Sequence, residues 1–131
     1  MPIHQESSAV ALARAHAEAW SNHDWDTARK LLAPDVHVTT MTTQPGTQPT
    51  DLTGIEDYMQ GLIAFAQAVE PGSARVIASV GDERNSLILL TVRAAFGPSG
   101  PKVTVPAARL ALFNENQQLI LEQVVFFAVP D

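Results

Sequence analysis

Three side chains in this sequence carry acid–base or charge chemistry into apolar surroundings: His16, Arg109 and Glu122. His16 sits midway along an apolar helical stripe, with Leu12 and Trp20 each four residues away. It is either a core histidine bonded to a backbone carbonyl or an acid–base group. A free imidazole pKa of about 6.5 suits proton transfer near neutrality. Arg109 and Glu122 interrupt two long apolar runs. A charge inside a covered sheet is costly unless it is paired. The two are a surface ion pair of small worth or a buried pair, and alternation alone does not choose the face. Trp20 and Tyr58 also lie on apolar stripes, as core or as pocket wall, and a buried Tyr58 hydroxyl needs a partner.

The elements that must position these groups can be read from the chain. Lys102–Phe113 and Gln118–Val129 are β-rich runs around a polar break, Asn114–Gln117, which is a hairpin signal. Counting back from the turn sets Arg109 and Glu122 nearly opposite each other. One face of the second run holds Ile120, Val124 and Phe126; the other holds Leu119, Leu121, Val125 and Phe127. Apolar character on both faces predicts cover on both. Earlier in the chain, Ser7 or Ser8 caps an alanine-rich helix through Trp20, with Arg14 and Glu18 on its outer side. Asp24 caps a short helix, Trp25–Leu32, which Ala33-Pro34-Asp35 ends. Val36–Thr42 reads as a strand and Thr43–Asp51 as a loop. Thr53 and Glu56 form a capping-box pattern that opens a helix through Val69, striped by Tyr58, Leu62, Phe65 and Val69. Ala74–Val80 and Ser86–Phe96 are further strands. Helices first and antiparallel strands after predict an α+β fold with the helices on one sheet face. Self-association is the simplest cover for the other face.

The bulk properties exclude several classes. The 131 residues make one expected domain, 1–131, with residues 1–7 as a flexible tail. A net charge of −6 argues against nucleic acid as a partner. No run reaches the roughly 20 apolar residues of a membrane span, and the start lacks a signal-peptide pattern. Without cysteine there is no disulfide framework, no thiolate nucleophile and no Cys-zinc site. A cytoplasmic location is the expectation. His4, His16, His23 and His37 show no metal-ligand spacing, so no metal is expected. Gly97-Pro98-Ser99-Gly100-Pro101 has two prolines and makes a poor phosphate loop. No cofactor is expected.

One resemblance emerges from the order of elements. A long helix ending Glu-Ala-Trp-Ser-Asn-His-Asp-Trp-Asp comes first. A short helix ending Leu-Leu-Ala-Pro-Asp-Val, a strand, a loop ending Leu-Thr-Gly, a helix and long strands follow. This order resembles the nuclear transport factor 2-like superfamily, most of all its SnoaL-like and ketosteroid-isomerase-like members, from Ala9 to about Val129. The resemblance implies a cone-shaped curved mixed or antiparallel sheet wrapped on N-terminal helices (a cystatin-like α+β roll) with a central pocket. It also implies a homodimer through the outer sheet face, with Leu110, Leu112, Leu121, Val125 and Phe127 contributing. Its register points Arg109, Glu122, Val124 and Phe126 inward and Leu110, Leu121, Gln123 and Val125 outward.

The catalytic residues of relatives do not carry over. The isomerase aspartate base falls on Thr40, the oxyanion-hole tyrosine on His16 and the oxyanion-hole acid on Arg109. The last-strand aspartate of limonene epoxide hydrolases falls on Val124. Function does not follow from fold. The resemblance leaves a relined pocket and three readings. The first is a small cofactor-independent enzyme performing isomerisation, cyclisation or dehydration on an apolar, carbonyl-bearing, polyketide-like or terpenoid molecule. There His16 and Glu122 move protons, Arg109 holds oxyanion charge, and Trp20, Thr40, Tyr58, Val124 and Phe126 bind the ligand. The second is a non-catalytic module holding an apolar acid against Arg109, and the third a dimerisation domain with a vestigial pocket. An unpaired Glu122 near His16 favours the enzyme; a bidentate Arg109–Glu122 lock favours the other two.

Overall fold

A computed structural model of the protein describes residues 7–43, 46–95 and 101–127. The elements in order are α1 (Ser8–Ser21), α2 (Trp25–Lys30), β1 (Leu32–Thr42), β2 (Thr50–Thr53), α3 (Ile55–Ala66), β3 (Arg75–Gly81), β4 (Asn85–Ala95), β5 (Lys102–Phe113) and β6 (Leu119–Phe126). His4 and the Gly97–Gly100 break lie outside the described residues.

Small side chains bring α1 close to the sheet. Ala9, Ala13 and Ala17 are almost fully buried, and the helix lies across β3, β4 and β5. Ser7 caps it, its side chain accepting from the Val10 amide. Asp24 caps α2 in the same way through the Thr27 amide. The chain turns between the two at His23, which has positive φ (60°) and stacks on Trp25.

The six strands form one curved, open sheet in the order β2-β1-β6-β5-β4-β3. Only β1 and β6 run parallel; the other neighbours are antiparallel. Alternation sends Ile88, Leu90 and Val92 of β4 and Val105, Ala107 and Ala111 of β5 to the helix side. Leu87 and Leu89 go to the other side, where each is more than 40% exposed. On β5 and β6 the inward set includes Arg109, Glu122 and Val124, while Leu110, Leu121 and Val125 are half-buried and Gln123 is exposed.

Five local readings differ from the sequence expectation. First, Arg109 pairs with Val124 and Glu122 with Ala111, so the charges expected nearly opposite each other are diagonal neighbours on one face. Second, Leu119 is fully buried beside Phe113 instead of facing outward, because a register shift after Leu112 changes the phase of the strand near the turn. Third, residues 50–53 form a strand, β2, inside and just after the expected loop. Its pairing with β1 is non-local, and four residues carry too little periodicity to show it. Fourth, α3 starts from Gly54 with φ 93°, which has no side chain to cap with and leaves Thr53 one residue too early, while the Glu56 carboxylate bonds Arg29. The capping box is not made. Fifth, α2 stops at Lys30, where β1 begins two residues on, and α3 stops at Ala66. Val69 stays buried, through a bridge to Ala94. Of the two serines expected to cap α1, Ser7 serves, and it lies inside the stretch 1–7 expected as a tail.

Candidate functional site

A cavity of about 260 Å³ opens between the sheet and the helices. Its apolar wall is built from Trp20 of α1, Leu62 and Phe65 of α3, Val38 of β1, Leu90 of β4, Ala107 of β5, and Val124 and Phe126 of β6. Trp20 meets Phe65 edge-on at 5.7 Å, and Phe65 meets Phe126 at 5.0 Å. Leu52 of β2 completes the wall because α3 carries glycine where it presses. A Cβ on Gly61 would lie 2.6 Å from Leu52 Cδ1, closer than such atoms come. Thr40 and Thr50, paired across β1 and β2, add hydroxyls to one side.

The cavity ends on a polar floor. Arg109 Nε donates to Glu122 Oε2. The Tyr58 hydroxyl donates to Glu122 Oε1 at 2.8 Å. Arg109 Nη1 donates to the Ala13 carbonyl at 3.1 Å, and Nη2 lies 2.9 Å from His16 Nδ1. Arginine only donates, so Nδ1 must accept. The neutral imidazole then carries its proton on Nε2, which faces the Tyr58 oxygen at 3.3 Å. The four side chains close a ring in which every nitrogen and oxygen has a partner.

The electrostatics follow from burial. His16 is fully buried, and desolvation followed by the Arg109 charge holds its pKa well below the usual imidazole value. Tyr58 is pushed well above the usual phenol range, first by desolvation and then by the Glu122 charge. Both groups are neutral near pH 7. Arg109 and Glu122, with 3% and 8% of their side chains exposed, contribute one charge of each sign. The floor is polar with no net charge.

The sequence-derived site residues therefore separate. Arg109, Glu122, Tyr58, Trp20, Thr40, Val124 and Phe126 all line the cavity. His16 does not line it: it stands behind Arg109 and Tyr58 and touches the cavity only through them. It is bonded to side chains, not to a backbone carbonyl. Glu122 is paired, through one oxygen to Arg109 and the other to Tyr58, so the lock is shared among three residues rather than bidentate. Val38, Thr50, Leu52, Gly61, Leu90 and Ala107 also line the cavity and were not singled out from sequence. Alternation would have found Leu90 and Ala107, but nothing local marks Thr50 or Leu52.

Among the described residues, no three of His, Asp and Glu are placed to hold a metal ion. No described helix is long and apolar enough to cross a membrane.

Comparison with known proteins places this geometry in a family. The solved structure of a Mycobacterium tuberculosis protein in complex with estradiol-17beta-hemisuccinate superposes with a TM-score of 0.73 at 13% identity, covering 91% of this chain and 93% of that one. A nuclear transport factor 2-like protein of Cytophaga hutchinsonii gives 0.68 at 14% identity, covering 95% and 94%. A steroid delta-isomerase of Pseudomonas aeruginosa gives 0.66 at 13% identity, covering 95% and 83%. These likenesses are of fold. No curated protein matches the sequence. The SnoaL-like domain profile matches residues 13–121. The chain belongs to the SnoaL-like domain family.

Proposed function

We propose that the protein binds a small, mostly apolar molecule with one neutral polar group, seated so that this group meets Tyr58, Glu122 and Arg109. One observation carries the reading: an apolar cavity ends on a single polar cluster whose charges cancel. A carboxylate ligand would meet Glu122 without a spare positive charge, so the apolar-acid version of the binding reading is the weaker one. Trp20, Thr40, Val124 and Phe126 contact the apolar body, and no cofactor is required. The steroid derivative held by the Mycobacterium tuberculosis neighbour supports an apolar ligand for this fold. A cytoplasmic setting is part of the proposal, supported by a sequence that needs no disulfide.

A second reading, a cofactor-independent isomerase, cyclase or dehydratase, has its own supporting observation. Glu122 and Tyr58 both line the cavity and share a 2.8 Å hydrogen bond, so a proton can pass between them and a bound carbonyl compound. In that case Tyr58 takes the acid role assigned to His16 from sequence, and His16 holds Tyr58 in place. NMR of small cyclic ketones in deuterated buffer separates the readings. A binder leaves α-proton exchange at the buffer rate. An acid–base enzyme accelerates it, and Glu122→Gln lowers that rate by roughly a hundredfold or more.

The same proposal includes a homodimer. Leu87, Leu89, Leu110, Leu121 and Val125 share the outer sheet face, and Leu87 and Leu89 are 45% and 43% exposed. An interface of ordinary size would bury about 1,600 Å² in total. Light scattering at micromolar concentration should give twice the chain mass; a monomer would remove this part.

A further inference from the structure

We infer that the ligand offers a hydrogen-bond donor, a neutral alcohol, phenol or enol hydroxyl, to the Glu122 carboxylate. The inference rests on the proposed reading of the cavity as a small-molecule site and sharpens it.

Donors and acceptors at the floor are unequally occupied. An ionised carboxylate only accepts, along about four directions. Tyr58 fills one at Oε1 and Arg109 Nε fills one at Oε2, so acceptor capacity remains on a residue that lines the cavity. The donors of Tyr58 and His16 are already committed. Tyr58 has one hydroxyl proton, and it goes to Glu122. His16 has one N–H as the neutral tautomer, and it faces Tyr58. Each terminal nitrogen of Arg109 uses one of its two N–H groups on α1, at the Ala13 carbonyl and at His16 Nδ1, which leaves one N–H on each. A ligand carbonyl could use only those remaining Arg109 N–H groups and would leave the Glu122 acceptor capacity unfilled. A ligand hydroxyl needs to break nothing.

The choice of a neutral donor follows from charge. Arg109 and Glu122 cancel, so an ammonium group would be desolvated without a net negative partner. Thr40 and Thr50 serve either polarity and do not discriminate. The cavity, about 260 Å³, lies just under the usual range of about 300–1,000 Å³, which favours a ligand at the small end.

The test uses the wild-type protein and one two-ring skeleton in three oxidation states: α-tetralol, α-tetralone and tetralin. Isothermal titration should show the alcohol binding at least about tenfold more tightly than the ketone, the usual effect of one hydrogen bond to a charged acceptor. Glu122→Gln, which supplies a donor of its own, should shrink that preference to about threefold or less by the same reasoning. A ketone that binds as well as the alcohol would overturn the donor assignment and leave the small-molecule reading standing. No binding by any of the three at millimolar concentration would overturn both. If Glu122→Gln does not fold, the wild-type comparison decides alone. A folded Glu122→Gln that keeps the full preference would also overturn the assignment.

Discussion

Two arginine–glutamate pairs in this molecule use the same groups for different ends. Arg29 and Glu56 join α2 to α3 with 49% and 78% of their side chains exposed. Arg109 and Glu122 join β5 to β6 with 3% and 8% exposed. The outer pair sits in water, which screens it and solvates either partner if the other leaves. The inner pair has lost its water and relies on Tyr58, His16 and the Ala13 carbonyl to complete its hydrogen bonding. An ion pair therefore becomes a structural commitment only when neighbouring groups satisfy what water satisfied before.

The sharpest way to break this contrast is to remove one partner from each pair. Arg109→Leu leaves Glu122 buried beside the cavity without its cation, and should lower the unfolding free energy by about 3–5 kcal/mol in urea titration. Adding Glu122→Leu to that variant should recover much of the loss, because two apolar side chains need no partners. A loss below about 1 kcal/mol for the single variant would make the inner pair behave like a surface one.

The next effect sharpens the account of the ring. Tyr58→Phe deletes the hydroxyl between Glu122 and His16 and should cost about 1–3 kcal/mol, the range for leaving a buried group unsatisfied. Its readout is the same titration.

A pH series tests the protonation state of His16. In the unfolded chain His16 titrates near about 6.5; in the fold its pKa is held well below that by burial and then by Arg109. Between the two values the unfolded chain binds a proton that the folded protein refuses. The His16 contribution is thus complete above about pH 6.5 and is lost as pH falls, at up to about 1.4 kcal/mol per pH unit. His16→Gln should flatten the stability profile below neutrality. An unchanged slope would mean that His16 takes up a proton as readily in the fold as in the unfolded chain.

The smallest effect belongs to the outer pair. Glu56→Gln should change stability by less than about 1 kcal/mol, and less still in high salt. A larger loss would show that Arg29 and Glu56 hold α3 over the cavity as firmly as the inner pair holds the strands.

Much of this was legible in the chain. The alanine-rich stripe and serine cap marked α1, and the two apolar runs around Asn114–Gln117 marked β5 and β6, because each signal is written within one element. The order of elements pointed to the fold that the domain match and the solved structures bear out. The cavity-lining positions of Trp20, Tyr58, Arg109 and Glu122 were also anticipated, through the resemblance rather than through alternation.

The sequence by itself determined which residues share a face of each helix or strand, since side-chain direction repeats every 3.6 or 2 residues. It also determined that two charges would interrupt an apolar hairpin. The tertiary structure alone decided which face of that hairpin turned inward, because β5 and β6 are apolar on both. It alone formed β2, whose four residues gain their bonds from β1. It alone moved His16 from the cavity wall to the layer behind it. The partners that hold His16 are Arg109, 93 residues away in the chain, and Tyr58, 42 residues away. Periodicity within a helix cannot encode a distance between strands and helices; that distance is set by how far the alanine face of α1 lets the sheet approach and by the strand register that brings Arg109 and Glu122 beneath it.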